Sequence, residues 1–219
     1  VRESMDAADS EVYIESCGQV PGTVSTEGQL MSYTVGVFVG STASDSINKK
    51  LAKALVKLAP PELKLVDIPI GKLPLYSRDY DADFPAEARA FKASVDAVDA
   101  IIFVTPEYNR SIPGALKNAI DWGSRPWGSN SFAKKPSAVT GTSPGHISTA
   151  VAQQHLRSIL SFVNSPELAN PECYIHFTEG LIDDDGNVTV PSTEEFLRHW
   201  LQEFHIFVVK VVGAQKITV

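Results

Sequence analysis

Cysteine is scarce in this chain. Only Cys17 and Cys173 occur in 219 residues, far apart, with no His or Cys beside either. That excludes a disulfide scaffold and a CxxC zinc site, and it fits a reducing compartment. Positive charge is also short. Against 26 Asp and Glu stand 19 Lys and Arg, so the net charge is −7 and there is no basic footprint for nucleic acid. No apolar run approaches the roughly 18 residues a membrane span needs, and nothing near the start has the positive and apolar regions of a signal peptide. Two phosphate signatures are missing as well. Gly36 and Gly40 lack the partners for GxGxxG, and no Gly-Lys-Ser/Thr of a Walker A loop occurs. With 43% hydrophobic and 21% charged residues, the expectation is one domain, or two small ones, of a cytoplasmic globular protein. A chain of this length buries roughly 70% of its unfolded surface and needs no staple.

The negative charge is concentrated at one end. Residues 1–30 carry Glu3, Asp6, Asp9, Glu11, Glu15 and Glu27 against Arg2 alone, a charge of −5. The remaining 18 basic and 20 acidic residues leave −2 for positions 31–219. The first thirty residues show neither helical period nor alternation, and Pro21, Gly22 and Gly28 interrupt them. They read as a vector-derived leader or a disordered tail, with the folded domain over 31–219.

From Tyr33 onward strand-like and helix-like segments alternate. Strands are expected over 33–39, 63–68, 100–104, 136–142 and 172–177, and helices over 46–59, 86–98, 113–122, 147–163 and 193–209. In the first helix Ile47, Leu51, Ala54, Leu55 and Leu58 recur at one face, Ser46 is placed to cap it, and Pro60-Pro61 stop it. The β-branched run Ala100-Ile-Ile-Phe-Val104 reads as a strand buried on both faces. Five strand–helix repeats imply an α/β, three-layer sandwich with a five-stranded parallel sheet. The flavodoxin-like order 2-1-3-4-5 is favoured over a six-stranded dinucleotide fold. Ligands of such sheets sit at the carboxyl ends of the strands, near the switch point between the first and third. The loops after Val39, Val104 and Thr142 are therefore the candidates.

After the first strand, Gly40-Ser-Thr-Ala-Ser-Asp-Ser-Ile-Asn48 enters a helix. Hydroxyls, an amide and the free N–H groups of a helix start form either a nest for a phosphate ester such as that of FMN, or a polar turn that only caps the helix. After the third strand, Pro106 offers a rigid edge, Tyr108 a ring and Asn109 amide donors, which suits a flat heterocycle with polar edges.

The run Thr105-Pro-Glu-Tyr-Asn-Arg-Ser-Ile-Pro-Gly-Ala-Leu-Lys-Asn-Ala-Ile-Asp-Trp122 closely resembles the signature of the NADPH-dependent FMN reductase family, in its chromate- and quinone-reductase branch. Gly40-Ser41 with Ser46 and Asn48 resembles that family's phosphate loop. Leu73-Pro-Leu-Tyr76 and His155-Leu-Arg157 match too, and the resemblance spans residues 33–212. It implies that Ser41, Ser46, Ile47 and Asn48 hold the FMN phosphate. It further implies that Pro106, Glu107, Tyr108 and Asn109 line the ring and ribityl chain, and that Thr142, Ser143 and Gly145 close the pyrimidine end.

The activity implied is hydride transfer from NADPH or NADH to flavin N5, then to a quinone, free flavin, chromate or similar acceptor. The flavin carries the chemistry, and no residue is assigned as acid or base. A homodimer or homotetramer is implied as well. Arg110 follows the flavin-lining residues and is the candidate contact for NADPH phosphate or an anionic acceptor. One departure stands out. Where the family commonly has Arg, this chain has Ala43, which removes a charge-assisted contact worth roughly 1.5–3 kcal/mol. Either FMN binds more weakly, or Lys49 or Lys50 substitutes. An electron carrier that never meets NAD(P)H, and a flavin-free regulator on the same fold, are the alternative functions.

Other motifs carry less. Gly141-Thr-Ser-Pro-Gly145 fits the G-x-S-x-G elbow, with Asp183 to Asp185, His199 and His205 downstream. An oxyanion hole there needs the N–H of the residue after the nucleophile, and Pro144 has none. Asp183-Asp-Asp-Gly-Asn187 has the acids of a calcium loop but Val188 where Gly is required, so a turn is expected. The five histidines show no metal-ligand spacing. Trp122, Trp127, Phe204 and Phe207 are expected in the core or at subunit contacts.

Overall fold

Residues 32–216 are described by a computed structural model. The expected leader or tail over 1–30, and Cys17 with it, lies outside the described residues. Within them, β1 (Tyr33–Val39), β2 (Leu63–Asp67), β3 (Ala100–Val104), β4 (Ser137–Ser143) and β5 (Cys173–His176) form one sheet. Its order is β2-β1-β3-β4-β5, with every neighbouring pair parallel. The flavodoxin-like expectation is met. All five residues of β3 are buried, as a central strand covered on both faces requires.

The helices divide between the faces. On one, α1 (Ile47–Leu58) and α5 (Pro191–Gln215) bury Leu51, Leu55, Leu197, Trp200 and Phe204 against Val35, Val37 and Ile102. On the other, α2 (Ala86–Asp96), α3 (Gly114–Gly123) and α4 (Ala150–Phe162) bury Phe91, Leu116, Trp122 and Leu156 against Phe38, Ile101 and Phe103. The crossover from β1 to β2 and that from β2 to β3 run on opposite faces. The chain therefore parts above β1 and β3, and a crevice opens there at the carboxyl edge.

Two helices differ most from expectation. The fourth helix begins at Ala150, because Ser148 takes a positive φ of 51° and its hydroxyl donates to the Ile175 carbonyl at 2.7 Å. The fifth spans 25 residues, starting at Pro191 and passing Val209. Proline suits the first helical position, having a fixed φ and no N–H to orphan, and nothing before Gly213 breaks the helix. Of the aromatics expected inside, Trp122 and Phe204 are fully buried and Phe207 partly so, whereas Trp127 is 80% exposed. Burial of the Cys173 thiol pushes its pKa up to about 12, which makes it an inert core group. No helix of the described residues is long and apolar enough to cross a membrane.

Candidate functional site

The loop after β1 leaves the sheet at Gly40, whose N–H still reaches the Val104 carbonyl of β3 at 2.8 Å. Ser41 and Ser46 follow at only 5% and 8% exposure. Ser46 occupies the N-cap position with extended backbone, but its side chain makes no capping bond; only its carbonyl accepts, from Lys49 and Lys50 N–H. Among the described residues neither serine hydroxyl has a hydrogen-bond partner. The opening amides of Ile47 and Asn48 have no acceptor within the helix, as in any first turn. Two hydroxyls on enclosed serines and two helix-start amides are thus left without internal partners in one short loop. That donor set fits a phosphate ester.

The Asn48 side chain does something else. It is 1% exposed, donates to the Thr142 carbonyl and accepts from the Thr142 N–H, both at 3.0 Å. This clip fixes the start of α1 against the end of β4. Only the backbone of Asn48 is left to face a ligand. Thr142 is likewise closed, its hydroxyl donating to the Ile175 carbonyl at 2.8 Å.

The loop after β3 is held by several internal bonds. The Thr105 hydroxyl donates to the Pro106 carbonyl at 2.8 Å. Tyr108 and Ser111 exchange backbone hydrogen bonds of 2.9 and 3.0 Å across Asn109 and Arg110, whose φ values are 52° and 64°. Two successive left-handed residues make a type I′ turn, for which asparagine is well suited and arginine is not. Glu107 Oε2 accepts from the N–H groups of Val151 and Ala152, both at 3.1 Å, and Oε1 accepts from Arg110 Nη1 at 3.2 Å. This carboxylate, from 44 residues away, replaces the absent side-chain cap of Thr149 and complements the positive end of α4. Ser111 Oγ meets His155 Nδ1 at 3.1 Å, a second tie to the same helix. Pro106 is buried, Tyr108 is 49% exposed, and the Arg110 side chain is 67% exposed. The Tyr108 ring and the Arg110 charge therefore face outward from a rigid hairpin.

The loop after β4 is a compact turn. Ser143 Oγ accepts the Gly145 N–H at 3.1 Å, and the Gly145 carbonyl accepts from Ser148 N–H at 2.8 Å and from His176 Nδ1 at 3.1 Å. His146 stacks on His176, ring centroids 5.4 Å apart and 7° from parallel. Below it Gly141 is required by close approach. A Cβ there would lie 2.0 Å from the Thr105 carbonyl oxygen.

The sequence-predicted residues therefore fall into two groups along one edge. Ser41, Ser46, Ile47, Pro106, Tyr108 and Asn109 lie in the loops after β1 and β3 with groups left unbonded, while Ser143 and Gly145 lie in the loop after β4, bonded to each other. The side chains of Asn48, Glu107 and Thr142 hold the loops in place. Sequence reading missed that second role because each partner is remote in the chain. It also missed what the end of the long signature does. Asn118 bonds Tyr76 N–H and the Pro74 carbonyl, and Trp122 Nε1 donates to the same carbonyl at 2.7 Å, so the 73–76 segment is pinned to α3.

The rival motifs resolve differently. Ser143 Oγ is engaged by Gly145, while Asp183 accepts from the N–H groups of Asp185 and Asn187 and closes a turn against α1. Asn187 holds the Asp183 carboxyl below its ordinary pKa, and Lys50, 2.7 Å from Asp184, does the same there. Beside the phosphate-type loop, a cleft of about 570 Å³ is bordered by Ser41, Thr42, Lys49 and Asp67. Burial raises the Asp67 carboxyl above its ordinary pKa, and the charge of Lys49 opposes that rise.

Comparison with known proteins bears on this edge. The description of NADPH-dependent FMN reductase fits residues 33–180. A 2-hydroxy-1,4-benzoquinone reductase of Burkholderia sp is 47% identical over 178 residues, which are 81% of this chain and 97% of that protein. A quinone reductase of Pseudomonas putida is 44% identical over 78% of this chain and 92% of its own length. Among solved structures, FerB, a flavoenzyme NAD(P)H:(acceptor) oxidoreductase from Paracoccus denitrificans, superposes with a TM-score of 0.78 at 44% identity, covering 81% of this chain and 98% of that one.

Proposed function

The chain belongs to the NADPH-dependent FMN reductase family, and from that premise we propose that it reduces quinones, or free flavin, at the carboxyl edge of its sheet. It is an FMN-dependent oxidoreductase with NAD(P)H as co-substrate. Bound FMN supplies the hydride chemistry, and the protein supplies its position and electrostatic surroundings.

The chain's own residues divide the work. Ser41 and Ser46 hydroxyls and the Ile47 and Asn48 amides hold the phosphate. Pro106, Tyr108, Asn109 and the backbone at Glu107 line the ring and ribityl chain, on a hairpin kept rigid by the Glu107 carboxylate. Ser143 and Gly145 close the pyrimidine end, with Thr142 fixed behind them. Arg110, exposed at the hairpin tip, meets the NADPH phosphate or an anionic acceptor. Solvent can supply the protons, and no residue is assigned as acid or base. A quinone acceptor is supported by the names of the relatives at 44–47% identity.

The observation that carries this reading is the pair of serine hydroxyls, on residues almost wholly enclosed ahead of α1 and beside the switch point, that have no partner among the described residues and still reach solvent. The visible spectrum of the purified protein, taken anaerobically before and after one addition of NADPH, tests it. A flavin band that bleaches promptly is expected. A band that persists would make the protein an electron carrier, and no band after loading with FMN would leave a flavin-free regulator.

Self-association as a homodimer or homotetramer is part of the proposal. Trp127 and Phe162, each 80% exposed, border one cleft with Arg125 and offer apolar surface for a second copy. Sedimentation of the wild type against Trp127→Ser checks it, with a shift toward monomer expected.

A further inference from the structure

Resting on the FMN site proposed above, we infer that Lys49 supplies the positive charge for the phosphate that Ala43 lacks. The first turn of α1 contains Lys49 and Lys50 and no acidic residue. Cations at a helix N-terminus oppose the helix dipole, so both lysines sit where an anion is favoured. Lys50 has found one, its Nζ lying 2.7 Å from Asp184 Oδ1. Lys53 Nζ donates to the Asp184 carbonyl at 2.6 Å and Lys57 Nζ to Asn187 Oδ1 at 2.7 Å, so the acidic turn occupies that whole face of α1.

Lys49 lies about 100° round the helix from Lys50 and turns the other way. Its Nζ donates to the Ala43 carbonyl at 2.6 Å. An ammonium is thereby anchored on the residue from which the family's arginine would project, within the same short loop as Ser41 and Ser46. One of its three N–H groups is used by that carbonyl, and two are left for an incoming oxygen. The other charged groups bordering the same cleft are Asp67, whose carboxyl feels the Lys49 charge, and Lys53 and Lys72. The missing arginine and the inward lysine are two halves of one substitution: the charge has moved from the loop to the helix that follows.

The test compares FMN with riboflavin, which lacks the phosphate. Flavin-stripped full chain is titrated with each, following quenching of flavin fluorescence. Lys49→Gln is expected to weaken FMN about tenfold, the scale of one lost charge-assisted contact, and to leave riboflavin unchanged. Lys50→Gln should bind both as the wild type does. Ala43→Arg placed in the Lys49→Gln chain should restore FMN affinity, and added KCl should weaken FMN binding less in Lys49→Gln than in the wild type. Unchanged FMN affinity in Lys49→Gln overturns the inference while leaving the FMN site intact. Equal weakening of FMN and riboflavin also overturns it, because Lys49 would then only hold the loop. A wild type that binds FMN no better than riboflavin would remove the phosphate site itself, and Lys49's role with it.

Discussion

The loops after β1 and β3 face each other across the same crevice, and they are built in opposite ways. In the loop after β3 most polar side chains already have partners: Thr105 bonds Pro106, Glu107 bonds two amides of α4 and Arg110, and Ser111 meets His155, leaving Tyr108 and Asn109. In the loop after β1, Ser41 and Ser46 are almost as buried and have none among the described residues. Those hydroxyls keep contact with solvent, so they carry no buried penalty and are open to a ligand oxygen. One loop is finished by its own bonds, while the other keeps hydroxyls that the proposed phosphate would engage. The long sequence signature belongs to the finished loop. Much of that signature therefore encodes support for the site rather than contact with a ligand.

Breaking the support should do more damage than any change at the open loop. Gly141→Ala is the severest case. The new Cβ would meet the backbone oxygen of Thr105, which no rotamer change can avoid. A loss of about 3 kcal/mol or more is expected, read as a lower midpoint in urea unfolding. Asn48→Ala comes next. It strips the partners from both the N–H and the carbonyl of Thr142 in a buried setting, for about 2–3 kcal/mol. Its unfolding midpoint should fall, and Asn48→Asp, which keeps an acceptor but loses the donor, should recover only part.

Glu107→Ala should lower stability by about 1–2 kcal/mol, the range for a lost N-cap. Its signature is local. Hydrogen exchange at the Val151 and Ala152 amides should accelerate, because those are the groups the carboxylate covers. If those amides kept their protection, the hairpin would not depend on this carboxylate, and the contrast between the two loops would weaken.

The fold was legible from the chain because each element carries its own signal. The apolar face of α1, the unbroken run of β3 and the Pro-Pro stop after Ala59 are all local patterns. The start of α4 was not, since its cap comes from Glu107 across 44 residues and Thr149 gives no usable sign of it. The site divides along the same line. Residue type and position make Ser41 and Ser46 candidates for a phosphate nest or a capping turn, and only the family resemblance favours the first. The clip between Asn48 and Thr142 joins residues 94 apart, and the pinning of Pro74 by Trp122 joins residues 48 apart. Such pairings exist only once the sheet has formed, so a sequence motif names the residues without saying what they do. Ala43 is the converse case. As a departure from the family pattern it was visible at once, but which of two adjacent lysines answers it depends on their directions round a helix.

Arg110 gives the smallest expected effect and the finest discrimination. It holds a left-handed φ of 64° in the second central position of the hairpin turn, where glycine would rest without strain. Replacing it with Ala removes the guanidinium but keeps the backbone strain, while replacing it with Gly removes both. The Gly variant should therefore be the more stable of the two by about 1 kcal/mol, the usual penalty for an L-residue in this region. If Arg110 contacts the extra phosphate of NADPH, both variants should lose preference for NADPH over NADH to the same extent, despite their different stabilities. A preference lost in Gly but kept in Ala would mean that the turn's shape, not the charge, selects the nucleotide. Unchanged preference in both would assign Arg110 to its pairing with Glu107 alone, and the finished loop would then be support throughout.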